Sequence, residues 1–117
     1  MVRAVRGAVQ LEENSRETVL KKVSEMIEGL LTTNSLEEDQ IISIQFTQTA
    51  DVTALNPAAA LRHKGFGEVP LFCAQEPDYQ GSLPLMIRVL ITAHVDDGRK
   101  LKPLYLGGAK KLRPDLG

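Results

Sequence analysis

The chain has little of most residues that build dedicated chemical sites. It has one cysteine, Cys73, two histidines and no tryptophan in 117 residues. A single cysteine excludes an intrachain disulfide and fits a reducing, cytoplasmic setting. With so few thiols and imidazoles, a structural zinc site is not expected. Neither sign of charge dominates: 14 Lys and Arg stand against 15 Asp and Glu, a net charge of -1. The basic stripe of a nucleic-acid binder is therefore missing. No apolar run approaches the ~20 residues of a membrane span. The N-terminus lacks the apolar core of a signal peptide. There is no phosphate-binding glycine loop, no dinucleotide fingerprint and no serine elbow. Internal repeats and low-complexity segments are absent as well.

What remains is an ordinary globular composition, 43% hydrophobic and 25% charged, in a chain sized for one domain over residues 1–117. The core it can bury is modest, and chains of this size often gain stability by associating.

Alternation and β-branched residues predict strands over Val2 to Gln10, Ile41 to Thr47, Val69 to Ala74 and Leu85 to Val95. A fifth strand is expected over Leu101 to Leu106. The turn Asp96-Asp97-Gly98-Arg99 would join it to the fourth strand as a hairpin. Val19, Leu20, Val23, Met26, Ile27, Leu30 and Leu31 recur at helical spacing. Asn14 and Glu17 have the spacing of a capping box at the start of that helix, and Asn34 is a plausible stop. Between Asp51 and Lys64, Asn56 can cap a second helix with Pro57 in its first position. The order β-α-β-α-β-β-β predicts an α+β fold, a mixed β-sheet with helices on one face. So few helices leave the other face bare, a reason to expect self-association.

Arg88 lies inside the apolar run Leu85-Met86-Ile87-Arg88-Val89-Leu90-Ile91. An arginine does not shed its proton in a protein, so burial demands a negative partner. That partner is either a protein acid, Glu76 or Asp78, or an anionic ligand. Arg6, Arg62 and Arg113 are further candidate anion binders, although Arg62 also reads as a solvated helix residue and Arg6 as a partner for a nearby Glu. Cys73 and Glu76 mark a strand end and its loop, a common place for a pocket. Cys73 equally reads as a small core residue, Glu76 as a solvated carboxylate, and Tyr105 as either a core aromatic or a hydroxyl donor. No histidine offers Cys73 a convincing partner. Several cations, a carboxylate, a thiol and a phenol, without an evident nucleophile or metal, suit a reaction that needs binding, orientation and charge stabilisation.

Five segments in order carry a resemblance: Val2-Arg3-Ala4-Val5-Arg6-Gly7-Ala8, Asn56-Pro57-Ala58-Ala59-Ala60-Leu61-Arg62, Val69-Pro70-Leu71-Phe72-Cys73-Ala74-Gln75-Glu76, Gly81-Ser82-Leu83-Pro84-Leu85-Met86-Ile87-Arg88-Val89, and Tyr105-Leu106 followed by Leu112-Arg113-Pro114-Asp115-Leu116. Together they resemble the monofunctional chorismate mutases of the bacterial mixed α/β class. The resemblance implies a chorismate-mutase-like fold that assembles as a homotrimer, a trimeric pseudo-α/β-barrel with active sites at subunit interfaces. It implies the conversion of chorismate to prephenate without a cofactor. It casts Arg88 as donor to the breaking ether oxygen, and Arg6 with Tyr105 as the grip on the enolpyruvyl-side carboxylate. Glu76 and Cys73 would hold the ring hydroxyl, and Arg62 and Arg113 would stand at the mouth. Leu71, Phe72 and Leu112 would contact the substrate, Leu112 as an apolar wall. This chain departs from the pattern at Ala59, where relatives often carry lysine, at Asn56, where an aromatic often packs, and at Phe72, which replaces a smaller residue. The competing reading is a trimeric carboxylate-binding or imine-processing protein of similar barrel architecture.

Overall fold

A computed structural model describes residues 1–112. Five strands form one mixed sheet: β1 (Val2–Gln10), β2 (Ile41–Gln48), β3 (Leu71–Gln75), β4 (Met86–His94) and β5 (Leu104–Leu106). Their order across the sheet is β3-β2-β4-β1-β5. The central strand, β4, runs antiparallel to both β1 and β2. The outer pairs β2–β3 and β1–β5 are parallel. Two helices, α1 (Arg16–Thr33) and α2 (Pro57–His63), supply the crossovers.

The fifth strand does not form the expected hairpin. Both edges of β4 are already paired along their length, one with β1 and one with β2. Leu104–Leu106 therefore takes the free edge of β1. Asn34 helps to direct the chain there. Its amide donates to the carbonyls of Leu30 and Lys102, and its side-chain oxygen accepts from the Lys102 N–H at 2.7 Å. A buried side chain with these bonds ties the end of α1 to the segment leading into β5.

The cap of α1 also lies one residue from its expected place. Ser15 is the N-cap, and its hydroxyl accepts from the Thr18 N–H at 3.1 Å. Asn14 is engaged elsewhere, accepting from the Thr53 and Ala54 N–H groups at 3.1 and 2.9 Å. In α2 the cap is Asn56, which accepts from Ala58 and Ala59, with Pro57 in the first turn. Asn56, one of the three departures from the pattern, thus starts a helix.

Val19, Val23, Met26, Ile27 and Leu30 of α1 pack with Val5, Val9, Ile44, Phe46, Val89 and Ile91 of the sheet. The approach is close. A Cβ added at Gly7 would fall 2.8 Å from Leu30 Cδ1, so β1 needs glycine there. A smaller cluster of Ala8, Met86 and Ala109 lies on the other sheet face, beneath the 3-10 helix Gly107–Leu112. The remainder of that face has no helix over it among the described residues.

Candidate active site

Strand register sorts the candidate residues onto faces. Residues directly paired across strands share a face. One row runs Ala74–Thr47–Arg88–Ala8–Tyr105 across all five strands. The adjacent row on that face runs Phe72–Gln45–Leu90–Arg6. Arg6, Phe72, Arg88 and Tyr105, far apart in sequence, thus meet on the face opposite the helices.

Two hollows flank the arginines. One of about 510 Å³ is lined by Arg6, Phe72, Ala74, Arg88 and Leu90, with backbone and side chains of β2. The other, of about 220 Å³, is lined by Arg6, Ala8, Tyr79, Arg88, Tyr105 and Leu112. Arg6 and Arg88 line both, so the two hollows share a wall built from these arginines.

Of the two acids considered for Arg88, the structure brings up Glu76. Its Oε1 lies 2.6 Å from Arg88 Nε. The Nε–H is not aimed along that line, and neither Nε nor Glu76 Oε2 has a hydrogen-bond partner among the described residues. The contact is thus a close approach of opposite charges without the directed geometry of a strong bond. The Arg88 side chain stays 30% exposed and that of Glu76 15%. A partly desolvated pair with spare acceptor and donor capacity can still bind a polar ligand. Glu76 is placed by its own backbone, whose N–H donates to the Gln48 carbonyl at 2.8 Å.

Other candidates are not brought into these hollows. Cys73 pairs with Phe46, and Phe46 with Val89, which puts it in the row facing the helices. Its thiol donates to Gln48 Oε1 at 3.2 Å. Burial pushes the thiol above its ordinary value of 9.0, opposed by a hydrogen bond from the Ala58 backbone. Leu71 lies in the same β3 row and packs against the main core. Arg62 is exposed on α2, across the sheet from Arg6 and Arg88. Arg113 lies outside the described residues. The structure adds Tyr79, which lines the smaller hollow and which no sequence motif marks. Its signal was only its place in the loop between two marked residues. No group of three or more His, Cys, Asp or Glu arranged to hold a metal occurs among the described residues.

Comparison with known proteins follows the same lines. The family model described as chorismate mutase type I matches residues 2–116. A Thermus thermophilus protein described as chorismate mutase AroH is 37% identical, over 99% of this chain and 97% of the relative. A Bacillus subtilis (strain 168) protein of the same description is 33% identical, over 99% and 93%. The solved structure of a chorismate mutase from Clostridium thermocellum superposes with a TM-score of 0.87 at 38% identity, covering 92% of this chain and 97% of that one.

Proposed function

This chain belongs to the type I chorismate mutase family, and from that premise we propose that the hollows around Arg6 and Arg88 are its active site. The reaction is the rearrangement of chorismate to prephenate, a step toward phenylalanine and tyrosine. One carbon–oxygen bond breaks and one carbon–carbon bond forms within a single molecule. No proton needs to move and no covalent enzyme intermediate is required.

The observation that carries the site is the juxtaposition of Arg6, Arg88, Glu76 and Tyr105 on one sheet face. Chorismate is a flexible dianion that must fold into a compact conformer before its ends meet. Arg6, with the Tyr105 hydroxyl, grips the enolpyruvyl-side carboxylate. Glu76 holds the ring hydroxyl through Oε2, which has no partner among the described residues. Leu112 supplies an apolar wall. Fixing the conformer lowers the entropic barrier, by less than the ~7–11 kcal/mol of the best bimolecular cases, since the reaction is already intramolecular. As the ether bond stretches, negative charge gathers on its oxygen. Arg88 meets that charge from a strand paired on both sides, so the donor needs little reorganisation. Such a contact strengthens in the transition state and acts on kcat.

The remaining candidates fit a trimer with sites between subunits. Arg62 on α2 would come from a neighbour, with Arg113 also at the entrance. The exposed Phe72 gives the bare face an apolar residue to bury. The lone, half-buried thiol suits a cytoplasmic enzyme.

The test follows chorismate loss and prephenate formation with purified protein. Wild type turns chorismate over. Arg88→Ala lowers kcat by at least ~100-fold, the scale of one preorganised donor worth ~2.7–4 kcal/mol. Arg88→Lys is also severe, because an ammonium cannot reproduce the planar fork. Near-normal turnover in either folded variant overturns the role of Arg88, and an inactive wild type overturns the function.

A further inference from the structure

Two non-glycine residues have a left-handed backbone, Ser35 at φ 51° and Leu85 at φ 52°. Ser35 follows the C-cap of α1, where that conformation is usual. Leu85 has no such excuse. It is a bulky residue in a strained region, immediately before β4. Its peptide is held on both sides. The Leu85 N–H donates to both oxygens of Asp51, at 3.1 and 3.0 Å. Its carbonyl accepts from the Leu11 N–H at 2.8 Å.

The last residue of β2 and the short segment after it anchor both ends of the loop that carries Glu76 and leads to Arg88. At the loop's start, the Glu76 N–H donates to Gln48. At its end, the Met86 N–H donates to the Thr49 hydroxyl at 3.0 Å, and the Thr49 N–H donates to the Met86 carbonyl at 3.0 Å. The Thr49 hydroxyl in turn donates to Asp51 Oδ1 at 2.5 Å, so the three groups form a linked set. Within the loop, Ser82 Oγ donates to the Tyr79 carbonyl at 2.7 Å, bracing the turn that brings Tyr79 to the smaller hollow.

We propose that Asp51 is a positioning residue for the rearrangement: its carboxylate clamps Leu85 in the left-handed conformation and so fixes the separation of Glu76 and Arg88. The inference rests on the reading of those two residues as active-site groups. Without the clamp, Leu85 relaxes toward negative φ. The start of β4 and the loop shift, and Arg88 loses its aim at the reacting oxygen, while Arg6 still binds carboxylate. The damage therefore falls on kcat more than on KM.

The experiment is a double-variant cycle in the full chain, with chorismate as substrate and folding followed by circular dichroism. Asp51→Ala lowers kcat by ~10-fold or more with KM changed by less than ~3-fold, the pattern of an effect confined to the transition state. Glycine occupies the left-handed region without a steric penalty, so it does not need the clamp. In a Leu85→Gly background, the same Asp51→Ala change lowers kcat by less than ~3-fold. Should Asp51→Ala fail to fold, Asp51→Asn, which keeps one acceptor oxygen, is read in the same two backgrounds with a smaller loss expected. A folded Asp51 variant with wild-type kcat overturns the proposal. So does a loss of equal size in both backgrounds, or one that vanishes once rates are compared at equal folded fraction. In each of these cases wild-type turnover stands, which separates failure of the clamp from failure of the assigned reaction.

Discussion

At the scale of single residues, neighbours in sequence part company across the sheet. Phe72 and Cys73 are adjacent, yet Phe72 lies in the hollow with Arg6 while Cys73 faces α2. The period of a strand makes this unavoidable. It has a consequence for Cys73. Burial raises the folded thiol above 9.0, so the folded chain keeps its proton to higher pH than the unfolded chain does. The stabilising contribution is complete below that value and is lost as pH rises through the raised folded value. Urea midpoints measured at pH 8 and pH 10 should fall for wild type by more than for Cys73→Ala. Equal falls would mean that the thiol is not the titrating group. Arg88 shows a different lesson. An internal partner and an anionic ligand were alternatives for it in the sequence, and the ion pair with Glu76 beside an open hollow satisfies elements of both.

At the scale of elements, local signals were good guides where local interactions decide. Asn56 and Pro57 start α2 as their chemistry dictates. Asn34 ends α1, with its side chain bonded to Leu30 as well as to the distant Lys102. The start of α1 lies one residue past the expected cap, because Asn14 and Ser15 are both good caps and sequence spacing alone favours the first. Asn14 is claimed by a loop 39 and 40 residues away, which no local pattern records. Ser15→Ala should therefore destabilise the chain by ~1 kcal/mol, the usual worth of a side-chain N-cap. Equilibrium urea unfolding measures this, and an unchanged stability would show that the cap is replaceable by solvent. The final strand was misplaced for a related reason. A Gly-containing turn suggests a hairpin, but whether the preceding strand has a free edge depends on pairings made elsewhere. Here β1 and β2 had taken both.

At the scale of the whole molecule, the sheet has two unlike faces. One is sealed by α1 and α2 over the main core. The other carries the arginine rows and an exposed Phe72, and among the described residues its cover is at one end, where Ala8, Met86 and Ala109 pack. Arg62 lies on α2, on the sealed side of the sheet, whereas Arg88 lies on the other face. In the proposed site, Arg62 would therefore be supplied by another copy. Light scattering should return about 38 kDa, three times the 12.8 kDa chain, at concentrations where the enzyme is active. An active species with the mass of one chain would overturn the shared-site arrangement.

By itself the sequence determined the elements that local chemistry controls: the helical face from Val19 to Leu31, the Asn56-Pro57 start, the alternation of β1 and β2, and an arginine within β4 that had to meet a negative group. It also carried the motifs of a family, because those residues keep order and spacing along the chain. Only the tertiary structure decided which edge β5 takes, which way Cys73 points, that Glu76 is the acid at Arg88, and that Asp51 holds Leu85 in place. These are outcomes of strand pairing and of hydrogen bonds between segments tens of residues apart. Such contacts depend on which partners are left over once the other elements have paired, and a linear pattern holds no record of that competition.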